Sequence, residues 1–235
     1  MEIQVLRTKV INIIDEAPEI KTFQIECPLN FNFQPGQFVM LSLPARPGLS
    51  KAYSIASSPK KQGIIDLTIK IETYSEEELN KHLSPKLGRI SKGQEVIVKG
   101  PYGKFVLDET YDKITFLSAG TGIAPLMSMI RYCIDKKLNK NITLINSNRT
   151  PEHIIYKDEL KNIKDKIKLI QTITRPEESN GWNGITGRIS KELIKKHISN
   201  DSIFYICGPN DMVRQSKAIL EELNIPKENI KVEFW

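Results

Sequence analysis

The sequence predicts two domains of different class, an antiparallel β-sheet or small barrel followed by a parallel α/β unit. The chain has 235 residues, and single domains most often contain about 100 to 150. Near Asp108 the pattern changes from short alternating or β-branched runs to apolar runs separated by longer helical stretches. We therefore predict a first domain over residues 1–108 and a second over residues 109–235.

Short runs of β-branched and apolar residues predict the strands of the first domain. Proline and glycine residues between these runs predict turns, among them Pro35-Gly36 and Pro47-Gly48. Ser75 and Glu78 form a capping box ahead of apolar residues at helical spacing, which predicts one short helix. The predicted strands are residues 22–26, 37–43, 64–71 and 95–99.

Apolar strands and helices alternate in the second domain, which predicts a parallel sheet with helices on both faces. Ligands bind such sheets at the carboxyl ends of the strands. Residues 120–125 and 207–209 directly follow strands, so we expect both segments at the same edge. The predicted strands are residues 114–118, 142–146, 167–172 and 202–207, and helices are expected from about Pro125 and over residues 154–163.

Composition excludes several classes of protein. Hydrophobic residues make up 40% of the chain and charged residues 26%, as in ordinary globular proteins, so a disordered chain is excluded. No apolar run approaches the ~20 residues of a membrane-spanning helix, and no signal peptide is recognised, so we predict a cytoplasmic protein. The three cysteines and three histidines are far apart, so neither a disulfide framework nor a metal site is predicted.

The net charge of +6 does not by itself identify a partner. Acidic residues alternate with basic ones in residues 157–166, as on a solvated helix face. Because no basic run is interleaved with aromatic residues, we predict no nucleic-acid binding.

Two motifs in the second domain suit a nicotinamide dinucleotide. Gly120, Thr121 and Gly122 lie between a strand and a helix that Pro125 can start, so their backbone N–H groups can face a diphosphate. Cys207 would bring a small thiol to the same edge, where Gly208 and Pro209 follow and Gly208 leaves room for a flat ring. A tight turn without a ligand and a buried core cysteine are the alternative interpretations.

A motif in the first domain suits a flavin. In Lys51-Ala52-Tyr53-Ser54 a tyrosine ring can cover one face of the flavin ring system, and a hydroxyl can bond its reactive nitrogen. Lys51 would supply positive charge for a phosphate. We predict that the turn at Pro47-Gly48 precedes this motif and that Tyr53 and Ser54 begin the next strand. An ordinary amphipathic strand would contain the same residue types.

Taken together, these motifs resemble the ferredoxin–NADP reductase superfamily over nearly the whole chain. The resemblance implies a six-stranded antiparallel Greek-key β-barrel that binds FAD, followed by a Rossmann-like domain that binds NADPH or NADH. It also implies hydride transfer between the two cofactors and electron transfer to a separate acceptor such as ferredoxin, without an iron–sulfur cluster of its own. The segments that carry it are residues 35–38, 51–59, 100–105, 120–125 and 207–209.

The resemblance also implies roles for individual residues. Tyr53 would stack on the flavin, Ser54 would bond flavin N5, Cys207 would orient the nicotinamide, and Glu233 could stabilise the activated ring. Trp235 resembles a terminal aromatic residue that covers the flavin face. The implied catalytic residues are Ser54, Cys207, Glu233 and Trp235. The implied cofactor-binding residues are Lys51, Ala52, Tyr53, Ser54, Thr68, Ile69, Lys70, Asn80, Gly120, Thr121, Gly122, Pro125, Arg149, Arg175, Cys207, Gly208, Pro209 and Trp235.

Two departures from the family pattern concern flavin phosphate. Lys51 stands where the family usually has arginine, which keeps the charge and loses the bidentate grip, so we expect weaker flavin retention. The family's glycine-x-x-serine anchor aligns roughly with residues 77–80, and the carboxylates of Glu76, Glu77 and Glu78 at this helix start would repel a diphosphate. FAD is expected first, and FMN remains the alternative.

Nucleotide choice and partners are less constrained. Arg149 and Arg175 could grip a 2′-phosphate, which favours NADPH, although Arg149 also resembles a position of NADH-using relatives. The basic net charge is compatible with an acidic electron-transfer protein such as ferredoxin. An oxygenase reductase component, a subunit of a larger complex and a non-catalytic flavin- or nucleotide-binding module are the alternatives. The acceptor, the direction of electron flow and the oligomeric state stay open.

Overall fold

The computed structural model describes residues 2–75, 78, 81–178 and 181–234. The chain divides into two compact units. The N-terminal unit contains Met1–Leu107 and Met127–Asp135, and the C-terminal unit contains Asp108–Leu126 and Lys136–Trp235. No helix among the described residues has the length and apolar character needed to cross a bilayer.

The N-terminal unit is built on one antiparallel sheet of six strands with the order β4-β3-β6-β1-β2-β5. A bridge between Ile55 and Leu67 connects the end of β4 to β5 and closes the sheet into a barrel. Because β6 returns beside β3, the strands β3 to β6 form a Greek key. The elements are β1 (Gln4–Ala17), β2 (Ile20–Glu26), β3 (Phe38–Leu43), β4 (Arg46–Ser54), β5 (Ile64–Lys70), helix α1 (Ser84–Leu87) and β6 (Glu95–Tyr102). The predicted six-stranded antiparallel class is confirmed.

Apolar side chains from all six strands fill the interior of this barrel. Val39 and Leu41 on β3 alternate with side chains that are less buried, as the period of a pleated strand requires. Phe23 from β2 and Leu67 from β5 are also almost completely buried and belong to the same cluster. Burying each such side chain contributes about 1.5 to 3 kcal/mol, so the barrel has a real core of its own.

The predicted turn at Pro47-Gly48 is wrong. Leu43 pairs with Arg46, so the hairpin turn lies at Pro44-Ala45, and residues 47 and 48 belong to β4. Tyr53 and Ser54 therefore end a strand and do not begin one. A proline is tolerated here because the bridge to β5 lies at Ile55, beyond the end of β4, so residue 47 is on an open edge of the sheet where its missing N–H carries no cost.

The predicted capping-box helix falls largely outside the described residues, since Glu76, Glu77, Leu79 and Asn80 are not among them. The described helix α1 begins later, at Ser84. In the C-terminal unit the helix predicted over residues 154–163 is wrong in its first part. Tyr156 has a positive φ of 57°, and the helix begins at Lys157.

The C-terminal unit is built on a parallel sheet of six strands with the order β10-β9-β8-β7-β11-β12. The chain adds strands in one direction from β7 to β10 and then returns to the other side of β7, so the strand order reverses between β7 and β11. The elements from residue 113 onward are β7 (Lys113–Ala119), α2 (Ile123–Asp135), β8 (Asn141–Asn148), α3 (Lys157–Asn162), β9 (Lys168–Ile173), β10 (Ile185–Thr186), α4 (Lys191–His197), β11 (Ile203–Gly208), α5 (Asn210–Glu222) and β12 (Ile230–Phe234), with 3₁₀ turns at Gly120–Gly122, Pro151–His153, Pro176–Glu178 and Lys227–Asn229. Only the start of α2 belongs to this unit, because Met127–Asp135 belongs to the N-terminal unit. The predicted parallel α/β class is confirmed.

One face of this sheet packs against helices α4 and α5. Leu117, Ile145 and Ile206 on the strands are completely buried in a cluster with Val213 and Leu220 of α5. Successive strand residues point to opposite faces, so the residues that follow these in sequence point the other way. This alternation places a set of polar side chains on the opposite face, near the carboxyl ends of the strands.

Candidate functional site

The flavin motif lies at the carboxyl end of β4 in the N-terminal unit. Ser54 pairs with Phe38 and Tyr53 with Val39 across β3. Ser54 is buried, and its Oγ has no hydrogen-bond partner among the described residues. A buried hydroxyl without a partner costs about 1 to 3 kcal/mol. A ring nitrogen bonded to Ser54 would remove this cost, so the residue fits the flavin that the resemblance implies.

Tyr53 is more deeply packed than the sequence suggests. It is 8% exposed and belongs to the apolar core cluster of the barrel. Its hydroxyl is also buried and unpartnered within the described part of the chain, and burial is the main cause of a raised pKa of the phenol. The exposed surface of the ring is small, and stacking of Tyr53 on a flavin ring remains a prediction.

Other predicted flavin contacts differ in accessibility. Lys51 is half-exposed, and its Nζ lies 3.6 Å from Glu72 Oε2. Thr68 is buried, with its Oγ1 2.7 Å from Thr22 Oγ1, and Ile69 is a core residue. Lys70 is exposed at the end of β5. Lys51 and Lys70 can therefore reach a phosphate, whereas the side chain of Ile69 cannot.

The glycine motif of the C-terminal unit forms a 3₁₀ turn between β7 and α2. Gly120 has a positive φ of 53°, and no described atom lies within 4 Å of where its Cβ would be. A Cβ on Gly122 would lie 2.3 Å from the carbonyl oxygen of Cys207. Gly120 thus faces open space, and Gly122 permits contact with the Cys207 motif. Both motifs lie at the reversal of strand order, where α/β sheets bind nucleotides.

Four polar residues form a row across the C-terminal sheet. Cys207 pairs with Glu233 on one side and Ser118 on the other, and Ser118 pairs with Asn146. Register partners in a sheet point to the same face, so these side chains are neighbours. Ser118 Oγ donates to Asn146 Oδ1 at 2.9 Å. We define the polar row as Ser118, Asn146, Cys207 and Glu233.

The polar row contains buried polar atoms that make no hydrogen bond to the described residues. Asn146 Nδ2 and Glu233 Oε2 are buried, and neither has a partner among the described residues; the same holds for Asn148 Nδ2 two residues further along β8. Burial raises the pKa of Glu233 to about 7. Such a carboxyl group can hold a proton near neutral pH.

Cys207 and Glu233 were predicted from the sequence, whereas Ser118, Asn146 and Asn148 were not. The signal that could have identified these three residues is a polar residue at the end of an otherwise apolar run, on a strand that precedes a ligand-binding loop.

The two arginines predicted to bind a nucleotide are brought together. Arg175 N–H donates to the carbonyl oxygen of Arg149 at 2.9 Å, which places both residues after neighbouring strands, β8 and β9. Both residues are exposed, and the Arg175 guanidinium pairs with Glu178 at 2.9 Å. They can approach the same anion. Two of the predicted site residues, Asn80 and Trp235, lie outside the described residues.

Known proteins are similar to this chain in sequence and in fold. The glycine betaine monooxygenase reductase subunit of Chromohalobacter salexigens is 30% identical over 91% of this chain and 59% of that protein. Sulfhydrogenase 1 subunit gamma of Pyrococcus furiosus is 30% identical over 96% of this chain and 78% of that protein. The solved ferredoxin reductase in carbazole 1,9a-dioxygenase has a TM-score of 0.88 at 22% identity, over 100% of this chain and 70% of that chain. This chain spans only 59% to 60% of the length of several reductase subunits that it matches.

Both halves of the chain also match domain families. Residues 7–107 match the oxidoreductase FAD-binding domain, and residues 116–218 match the oxidoreductase NAD-binding domain. These two domains in one chain, with the fold described above, define an FAD- and nicotinamide-nucleotide-binding oxidoreductase. The chain belongs to the ferredoxin–NADP reductase superfamily, and the resemblance drawn from its motifs is confirmed.

We predict that Gly122→Ala lowers the free energy of unfolding by about 2 kcal/mol, because the new Cβ collides with the backbone of Cys207. Gly48→Ala is the matched control, since no described atom lies within 4 Å of its Cβ position. Urea denaturation measures both. Equal effects of the two substitutions would contradict the proposed close approach.

We predict that the raised pKa of Glu233 makes the free energy of unfolding depend on pH. Its pKa rises from 4.5 in the unfolded chain to about 7 in the folded protein, so the folded state binds more protons between these values. Its contribution to the free energy of unfolding is complete below pH 4.5 and is lost as pH rises through about 7, a change of about 3 kcal/mol. Glu233→Gln removes this loss, so the variant gains stability relative to the wild type at pH 8 compared with pH 5. Denaturation is measured at both pH values, and Glu228→Gln, at an exposed residue nearby, is the control. If the two variants show the same pH dependence of the free energy of unfolding, Glu233 is not its source.

Proposed function

We propose that the protein transfers hydride between NAD(P)H and FAD and passes electrons to a separate acceptor protein. The observation that carries this proposal is the unpartnered hydroxyl of Ser54 in a barrel that matches FAD-binding domains. The nucleotide motifs at the strand reversal of the second unit support it. Once bound, the flavin and nicotinamide rings supply the redox chemistry, and the protein binds and orients them.

Ser54 and Lys51 are the residues we assign to the flavin in the N-terminal unit. The Ser54 hydroxyl bonds the reactive ring nitrogen, and because the residue ends a strand paired with β3, its position is fixed by the sheet. Lys51 supplies positive charge for the flavin phosphate. FMN requires only one phosphate contact and remains the alternative to FAD.

Cys207, Glu233 and the glycine motif are the residues we assign to the nicotinamide nucleotide. The backbone N–H groups of Gly120, Thr121 and Gly122 bind the diphosphate at the start of α2. Cys207 and Glu233 lie side by side on neighbouring strands and orient the nicotinamide ring. With a pKa of about 7, Glu233 can carry a proton or a negative charge beside that ring.

Reduction by nicotinamide nucleotides tests the proposal. The full chain loaded with FAD is mixed anaerobically with NADPH or NADH, and loss of the yellow colour is followed. Ser54→Ala should slow the reduction about 10-fold, the effect of one lost hydrogen bond of ~1.4 kcal/mol. Ser50→Ala, an exposed serine on the same strand, is the control and should leave the rate unchanged. A protein that binds FAD and is not bleached by either nucleotide would be a non-catalytic binding module.

We infer that NADPH is preferred over NADH because Arg149 and Arg175 converge after β8 and β9. Replacing either arginine by glutamine should raise KM for NADPH by about 10-fold, since each guanidinium contributes a charge-assisted bond to the 2′-phosphate. KM for NADH is the internal control and should change less than two-fold. Equal changes for the two nucleotides would exclude a role in selecting the phosphate.

The acceptor in this proposal is an acidic electron-transfer protein such as ferredoxin, because the net charge of +6 would speed association with it. A second candidate is a reductase component of an oxygenase or an electron-transfer subunit of a larger complex. It is favoured by relatives named as the reductase subunit of glycine betaine monooxygenase and subunit gamma of sulfhydrogenase 1. Turnover with added ferredoxin at increasing salt distinguishes a steered encounter from a permanent complex.

A further inference from the structure

Three hydrogen-bond donors converge on one carboxylate oxygen in the N-terminal unit. The Tyr74 hydroxyl donates to Glu72 Oε2 at 2.8 Å and the Ser84 hydroxyl at 3.3 Å. Lys51 Nζ lies 3.6 Å from the same oxygen. We call these three side chains the donor triad. A phenol, a hydroxyl and an ammonium group around one oxygen are the donors expected at a phosphate oxygen.

The contacts of Glu72 hold it in the charged form. The hydrogen bond from Tyr74 is the largest cause that lowers its pKa, and the charge of Lys51 acts in the same direction. Ser84 is buried and also accepts a bond from the Glu72 backbone N–H at 3.4 Å, so it restrains both the backbone and the carboxylate. The donor triad is therefore already bound to an anion that belongs to the chain.

We propose that the Glu72 carboxylate occupies the place of a flavin phosphate oxygen and competes with that phosphate for Lys51. This inference rests on the proposed function, in which Lys51 binds the flavin phosphate. Flavin binding must then either break the Lys51–Glu72 ion pair or bring a phosphate against an uncompensated carboxylate. In both cases Glu72 weakens the binding of phosphorylated flavins and leaves the binding of the flavin ring unaffected.

The proposed competition should affect three flavins differently, although they have the same ring system. Riboflavin has no phosphate, FMN has one and FAD has a diphosphate. Removing the Glu72 charge should tighten the binding of FMN and FAD about five-fold, an effect of the size expected for the loss of a half-exposed ion pair. The affinity for riboflavin should not change. Because exposed charges are screened, the gain should shrink as salt is raised.

The experiment titrates each of the three flavins with the full chain freed of bound flavin, and follows quenching of flavin fluorescence. Wild type, Glu72→Gln and Glu95→Gln are compared. Glu95 is a matched control because it is another half-exposed glutamate of the barrel in an ion pair, with Arg7 at 2.8 Å. We expect tighter FMN and FAD binding for Glu72→Gln alone. Glu72→Ala replaces it if circular dichroism shows that the glutamine variant is less folded.

The role of Lys51 is tested by repeating Glu72→Gln in a Lys51→Met background, a double-mutant cycle. The gain should fall below two-fold there, because no ammonium group remains to be released. An equal gain in both backgrounds, a gain for riboflavin or the same gain for Glu95→Gln would overturn the competition.

If wild type binds flavin and is reduced by NAD(P)H while Glu72→Gln changes nothing, only this inference fails. If no flavin binds to the wild type, the proposed function fails with it.

Discussion

The close approach of Gly122 to Cys207 constrains the nucleotide end of the C-terminal unit. The Cys207 carbonyl oxygen lies only 2.3 Å from where a Cβ at residue 122 would be, so the loop after β7 packs directly on the end of β11. These strands are neighbours at the reversal of strand order, where connecting loops run in opposite directions and leave a crevice. A side chain at residue 122 would separate the backbone donors of the glycine loop from the thiol. The two motifs therefore depend on each other sterically, although 85 residues separate them in sequence.

The polar row lowers the stability of the folded protein, because it contains buried polar atoms without hydrogen-bond partners among the described residues. Strands β7, β8, β11 and β12 each carry one residue of the polar row near the carboxyl end, and the strand register brings these four side chains together. Asn146 Nδ2 and Glu233 Oε2 are buried without partners in the described part of the chain, and each such atom costs about 1 to 3 kcal/mol. Apolar residues at the same positions would pack without this cost. Functional sites are the places where such costs are retained.

The fold could be predicted from the sequence where periodicity was strong. Apolar runs such as residues 142–146 gave the parallel strands, and the change of pattern near Asp108 separated the two classes of sheet. The prediction of a turn at Pro47-Gly48 was wrong. Proline and glycine favour turns locally, but the position of a hairpin turn also depends on how the strand pairs with its partner. The helix predicted from Ile154 failed because its apolar residues are compatible with helical spacing while Tyr156 adopts a positive φ.

The site was predicted less completely than the fold. Motifs that are contiguous in sequence, such as residues 120–122, were found from the chemistry of their residues. Ser118 and Asn146 were missed because their proximity arises only from strand register. The deep packing of Tyr53 also could not be read from the sequence, since it depends on Val39 and on the barrel interior. Lys51 was identified as a cation, but its carboxylate partner Glu72 became visible only when the fold brought them together.

Glu72 and Glu233 show how two units of one chain treat the same side chain in opposite ways. Glu72 accepts bonds from Tyr74 and Ser84 beside a lysine, so its charged form is favoured and its pKa falls. Glu233 is partly buried near the end of β12, its buried Oε2 has no partner among the described residues, and burial raises its pKa to about 7. The first carboxylate lies beside Lys51, which we assign to the flavin phosphate, and in our proposal it therefore acts on flavin binding. The second lies beside Cys207 and can hold a proton near neutral pH, and in our proposal it therefore acts on the charge beside the nicotinamide ring. Neither behaviour follows from residue type, because solvation and partners alone separate the two pKa values.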